Sequence, residues 1–154
     1  MRAAFFRAVG LLAEQNPNVY LLVGDLGFGA AEHFAKKYPQ QFINVGVAEQ
    51  NLIGISTGLA LEGKTVFAYA ISNFPTLRCL EQIRNDVCYQ KANVKIVTSG
   101  GGFAYGALGI SHHVTEDFAI MRALPEMKVI APADPVETEL AVLAMASDAG
   151  PYYM

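Results

Sequence analysis

Chemistry in this chain would come from a few residues set where strands give way to helices. The stretch Asn44-Val45-Gly46-Val47-Ala48-Glu49-Gln50-Asn51 joins a short apolar run to the helical pattern of Leu52 to Gly63, and leaves one carboxylate, Glu49, at the junction. Ligands of open α/β sheets bind at the carboxyl ends of the strands, so a lone acid there is a candidate for catalysis. The plainer alternative is a first-turn glutamate that complements the helix dipole. Phe74, in Ser72-Asn73-Phe74, stands at a second strand end. A planar ring there can stack on a flat heterocycle, or simply fill the core. Ser111-His112-His113 with Glu116-Asp117 has the composition of a metal cluster, but adjacent histidines diverge unless a loop turns them, and the acids suit the start of a helix. No metal site is expected. His112 can move a proton near neutral pH or sit as a satisfied loop imidazole, and Asp25 is either functional or an Asx-type turn residue. His33 reads as a surface residue.

The elements that position these residues alternate between strand and helix. Phe5, Val9 and Leu12 recur at helical spacing and predict a helix over 2–15 that ends before Asn16-Pro17. Strands are expected at 19–23, 42–45, 65–70, 94–98 and 128–130, with helices near 30–37, after Glu49, over 74–89, near 115–123 and over 135–148. In the helix after Glu49, Leu52, Ile55 and Leu59 form a core stripe, while Gly54 and Gly58 allow another backbone to come close. The run Ser99 to Gly106 reads as a long flexible connection. The last helix carries an explicit start, with Asp134 as N-cap, Pro135 at the first helical position and Glu137 completing a capping box. This alternation predicts an α/β protein, a doubly wound parallel sheet with helices on both faces. The Gly-rich turn Gly24-Asp25-Leu26-Gly27-Phe28-Gly29 lacks the spacing of a dinucleotide fingerprint or a P-loop, which argues against a nucleotide site.

Composition narrows the class. A length of 154 residues with 53% hydrophobic content suits one domain with a real core, over 1–154. Eleven basic residues against 14 acidic ones, with no basic run, argue against nucleic acid as the main partner. Arg7 and Glu14 interrupt the N-terminal apolar stretch, so an amphipathic helix is expected there rather than a signal peptide. No apolar run reaches the roughly 20 residues of a membrane span, so a soluble protein without a membrane partner is expected. Cys79 and Cys88 lie in one expected helix, too far apart to pair locally, and fit a reducing cytoplasm.

The string Gly-Val-Ala-Glu-Gln-Asn, with Gly-x-x-x-Gly-Leu-Ala after it, resembles the pyrimidine-binding domain of thiamine-diphosphate enzymes of the transketolase type. The resemblance runs in order through Gly24-Asp25-Leu26, Ser72-Asn73-Phe74, Gly109-Ile110-Ser111-His112 and Ala131-Pro132-Ala133-Asp134-Pro135. It implies that Glu49 binds the ring nitrogen N1′ of the aminopyrimidine and promotes the imino tautomer, the cofactor supplying the carbanion chemistry. It implies further that Phe74 packs on the pyrimidine, that Arg78 hydrogen-bonds near it, and that Asp25 lies where cofactor and subunit interface meet. His112 matches the histidine of the family's Asp-Gly-x-Thr-His motif, which faces the substrate.

Departures from the family pattern carry information too. Leu108 stands where the family has an acid that touches a substrate hydroxyl, Gly100 and Gly101 stand at positions of phosphate- and sugar-binding residues, and Gly29 replaces a serine. The Gly-Asp-Gly segment that binds diphosphate and Mg²⁺ in these enzymes is missing. The resemblance therefore implies a partner subunit or domain that holds the diphosphate and Mg²⁺, in a homodimer or heterotetramer acting on a small carbonyl or sugar substrate. Gly150-Pro151-Tyr152-Tyr153-Met154 reads as the start of a strand in a longer subunit, with an exposed apolar edge that promotes association. The expected activity is transfer of a two-carbon ketol or acyl unit. Alternatives are the β subunit of a 2-oxoacid dehydrogenase E1, which has Glu-x-Gly-Ile where this chain has Glu49-Gln50-Asn51-Leu52, a deoxyxylulose-phosphate synthase-like enzyme, and a non-catalytic α/β interaction module.

Overall fold

A computed structural model describes residues 1–27 and 29–154; Phe28, part of the Gly-rich turn, lies outside the described residues. The chain runs α1 (Arg2–Gln15), β1 (Val19–Val23), α2 (Ala31–Lys37), a 3₁₀ turn (Pro39–Gln41), β2 (Phe42–Asn44), α3 (Glu49–Leu61) and β3 (Thr65–Ile71). It continues with α4 (Asn73–Arg78), α5 (Leu80–Gln82), a π-helical turn (Ile83–Cys88), β4 (Val94–Ser99) and a 3₁₀ turn (Gly106–Leu108). It ends with α6 (Asp117–Ala123), β5 (Lys128–Val129), α7 (Pro135–Ser147) and β6 (Tyr152–Tyr153). Six strands form one parallel sheet in the order β2-β1-β3-β4-β6-β5.

Alternation along the strands divides the core in two, because successive side chains leave opposite faces. Val19, Leu21, Val23, Phe67, Tyr69 and Val97 meet Phe5 and Val9 of α1, Phe34 of α2, and Val142 and Met145 of α7. Leu22, Val66, Ala68, Val94 and Ile96 meet Leu52 and Ile53 of α3, Ile83, Val87 and Met121. Helices thus cover both faces of the sheet, as expected of parallel strands. The connection after β1 runs on one face and the connection after β3 on the other, which makes the β1/β3 boundary a topological switch point.

Several elements differ from the sequence-based expectation. Tyr152 and Tyr153 are no exposed edge: they pair on one side with β4 and on the other with β5, and both are buried. A two-residue strand takes its place from long-range pairing, so its neighbours could not be read locally. The helix expected over 74–89 breaks after Arg78 at Cys79, which has φ −111° and ψ 17°, and resumes as α5 and a π-helical turn. The inward face of α3 is Leu52, Ile53, Ser56 and Thr57, with Ile55 and Leu59 half-buried. Gly54 and Gly58 have no atom within 4 Å of an added Cβ among the described residues, which leaves that face open for the close approach expected of it. Nor is the segment after β4 a slack connection. Gly102 and Val114 form an antiparallel bridge that closes it into a compact loop, braced by the 3₁₀ turn.

The cap of α7 follows the sequence reading. Asp134 accepts a hydrogen bond from the Glu137 amide at 2.8 Å, and the Glu137 carboxylate accepts one from the Ala133 amide at 2.7 Å. Cys79 and Cys88 are free and buried, and burial pushes their thiols up to about 12 and about 11. Thiols held so far from ionisation are core fillers rather than reactive groups. Among the described residues no helix is long and apolar enough to cross a membrane.

Among the described residues Lys95 is the one charged side chain in the set of largest wholly buried ones. Its ammonium donates to the carbonyls of Asp148 at 2.7 Å and Gly150 at 2.8 Å, just past the carboxyl end of α7, where unpaired carbonyls and the helix dipole favour a cation. It also lies 4.6 Å from the centre of the Tyr152 ring. Burial pushes its pKa from 10.5 down to about 7, Asp148 opposing and Lys128 adding to the fall. Between those values the unfolded chain binds the proton and the fold does not, so stability rises with pH from about 7 towards 10.5. Urea unfolding of the native chain and Lys95→Met at about pH 6 and about pH 9 should show native stability rising relative to the variant; an unchanged or reversed difference would contradict the burial.

Gly100 has φ +88°, and a Cβ there would collide with the Tyr105 ring. Gly100→Ala should therefore cost about 1–3 kcal/mol in urea unfolding, and a neutral substitution would mean that Tyr105 does not pack there.

Candidate active site

Glu49 is the first residue of α3, brought to the end of the sheet by the turn after β2. Asn44 makes that turn. Its side-chain carbonyl accepts from the amides of Asp25 and Gly46, each at 3.0 Å, and its amide group donates to the Asp25 carboxylate at 3.1 Å. These bonds tie the end of β2 to the end of β1. Asp25 adopts φ 54°, a left-handed conformation that aspartate tolerates in such turns, and its side chain is exposed at the rim. Gly24, beside it, borders the Glu49 carboxylate: an added Cβ would lie 3.9 Å from Oε1.

The Glu49 side chain is 1% exposed, and one guanidinium nitrogen of Arg78 donates to its Oε2 at 2.6 Å. No hydrogen bond to Oε1 occurs among the described residues. Arg78 itself is half in solvent, and its Cζ lies 5.1 Å from the centre of the Phe74 ring. Phe74 follows β3 in the first turn of α4 and is half-buried. Cys79 lies beneath; Glu49 joins burial in raising its thiol, while Arg78 opposes. A surface hollow of about 460 Å³ is lined by Asn73, Phe74, Leu77, Arg78 and Ser111.

The loop after β4 brings His112 to the same place. Its ring centre is 5.2 Å from that of Phe74, edge to face, and its Nδ1 is 3.0 Å from the Ser111 hydroxyl. That contact engages Nδ1, and Nε2 makes no hydrogen bond among the described residues. The Asn73 amide anchors the loop by donating to the Ser111 carbonyl at 2.5 Å. His113 points elsewhere, with Nε2 3.1 Å from the Gly106 carbonyl. Glu116 caps Thr115, and Asp117 is buried, accepting from the Tyr153 hydroxyl at 2.6 Å. Burial and then that bond push the Tyr153 phenol up. Among the described residues no group of three or more His, Cys, Asp or Glu could hold a metal ion.

The structure therefore gathers Glu49, Phe74, Arg78 and His112 at the carboxyl ends of β2, β3 and β4, with Asp25 at the rim after β1. Leu108 is exposed, and the space over Gly100 is filled by the Tyr105 ring, whose centre is 6.0 Å from that of His112. Asn44, Asn73 and Tyr105 were missed in the sequence. Asn44 carried a usable signal, an Asx-turn residue two before Gly46; the partners of Asn73 and Tyr105 lie far along the chain or across a loop.

An acid and an aromatic ring at the switch point of a parallel sheet define a ligand-binding α/β domain. The family model of the transketolase pyrimidine-binding domain matches residues 1–154, and the chain belongs to that family. A protein of Methanocaldococcus jannaschii provisionally named a transketolase C-terminal section is 44% identical over 100% of this chain and 49% of its own length. One of the subunits of the apulose-4-phosphate transketolase of Phocaeicola vulgatus is 38% identical, over 99% and 49%. A solved split-gene transketolase, described as an inactive β4 tetramer, superposes with a TM-score of 0.89 at 41% identity, over 99% of this chain and 48% of that one. The chain thus spans about half the length of these relatives.

Proposed function

We propose that this chain is the pyrimidine-binding part of a split, thiamine-diphosphate-dependent transketolase that moves a two-carbon ketol unit between carbonyl or sugar substrates. Glu49 carries the reading. A carboxylate almost wholly out of water, with one oxygen paired and the other free of bonds among the described residues, suits a ring nitrogen better than solvent. Phe74 beside it offers the flat apolar surface that the same ring needs. The donor set therefore fits the pyrimidine half of the cofactor. Thiamine diphosphate, when bound, supplies the nucleophilic carbon that carries the two-carbon unit.

The protein residues have three tasks. Glu49 would hold N1′ and share its proton, Phe74 would set the plane of the ring, and His112, fixed at Nδ1 by Ser111, would take a proton from a substrate hydroxyl or give one to a substrate carbonyl oxygen at Nε2. The diphosphate and its Mg²⁺ are held by a partner subunit or domain, since the Gly-Asp-Gly segment of the enzymes the chain resembles is not among these 154 residues. The related β4 tetramer, described as inactive, supports that division. Buried free thiols agree with a reducing, cytoplasmic setting.

Glu49→Gln, assayed in the complex with the diphosphate-binding partner and hydroxypyruvate as ketol donor, should lower turnover about a hundredfold or more. Turnover at the native rate would remove Glu49 from the mechanism, and reductive acylation of a lipoyl domain by the native complex would move the activity to a 2-oxoacid dehydrogenase.

A further inference from the structure

The Arg78 guanidinium makes, at one time, the two contacts assigned above to the aminopyrimidine: it donates to the buried Glu49 carboxylate at 2.6 Å and lies 5.1 Å from the centre of the Phe74 ring. A guanidinium is planar, donates along its edge and stacks on aromatic faces, so it is a fair mimic of a flat amino-heterocycle. We propose that Arg78 is a displaceable placeholder for the pyrimidine, which pre-shapes the pocket and must leave it when the cofactor binds. This inference rests on the reading of Glu49 and Phe74 as the pyrimidine site.

The local structure lets the side chain leave without moving the backbone. Arg78 is the last residue of α4, next to the break at Cys79, and its side chain is 51% exposed. Its carbonyl accepts from the Gln50 side chain at 3.3 Å, which ties the backbone to α3. The hollow beside it, lined by Asn73, Phe74, Leu77 and Ser111, is open to receive the guanidinium. Leaving without a replacement is unfavourable, because Glu49 would be a buried charge with no counter-ion. The exchange is therefore coupled: the guanidinium is released as the ring arrives, and Glu49 keeps a partner throughout.

Calorimetric titration of thiamine diphosphate with Mg²⁺ into the complex with the diphosphate-binding partner separates a placeholder from a ligand. Removing a competitor tightens binding, whereas removing a ligand weakens it. Arg78→Met should bind about threefold more tightly or better, the scale of a half-exposed ion pair. Arg78→Lys, which keeps a counter-charge for Glu49 but has no planar fork, should fall between Met and native. Should Arg78→Met fail to assemble, Arg78→Lys alone decides: tighter binding supports the placeholder, and equal or weaker binding overturns it. Loss of turnover in Glu49→Gln alongside equal or weaker binding in the Arg78 variants overturns the placeholder only. Native turnover in Glu49→Gln removes the site assignment beneath it.

Discussion

A carboxylate taken out of water must be given a partner, and the pairing of Glu49 with Arg78 is where this requirement shapes the molecule. Withdrawing Arg78 would leave Glu49 a buried charge with no counter-ion, which is unfavourable, whereas the half-exposed guanidinium keeps much of its water. Burial of Glu49 at the first position of α3 also constrains its surroundings: Gly24 must be small enough to approach it, Asn44 must turn the chain after β2, and α4 must end close enough for Arg78 to reach back. The acid is held at the amino end of a helix, where the dipole complements its charge. A structural ion pair would need only the guanidinium. The neighbouring aromatic ring and the open hollow go beyond that need.

The sheet explains why these groups converge. With both faces covered by helices, the sheet offers no polar surface on which to build a pocket, and the carboxyl ends of the strands are the places where loops of different composition meet. Glu49 follows β2, Phe74 follows β3 and His112 comes from the loop after β4, so three loops bring together an acid, an aromatic ring and an imidazole without disturbing the core. The bridge between Gly102 and Val114 matters for the same reason, because it fixes the loop that carries His112. On the opposite end of β4, Lys95 anchors the chain after α7 through two carbonyls, and so helps seat β6 between its neighbours.

Much of this was legible in the sequence because it is local. The strand-helix alternation, the Asp134–Glu137 cap and the position of Glu49 at a junction all depend on residues within a few places of each other. The four residues Glu49, Phe74, Arg78 and His112 were named from motif order, and the fold brings them together. What was not legible depends on distant partners. Tyr153 is buried by pairing with strands on both sides and by Asp117, 36 positions away. A lysine in a strand reads as solvent-facing until the end of α7 is known to lie over it. Nor could the contacts of the Arg78 guanidinium with Glu49 and Phe74 be read, since Glu49 lies 29 positions away.

The division of one active site between two polypeptides is the central claim, and titration of thiamine diphosphate with Mg²⁺ tests it most directly. The chain should be titrated alone and as the complex with its diphosphate-binding partner. The account predicts no measurable binding to the chain alone and saturable binding to the complex. Tight binding to the chain alone, or none to the assembled complex, would contradict it.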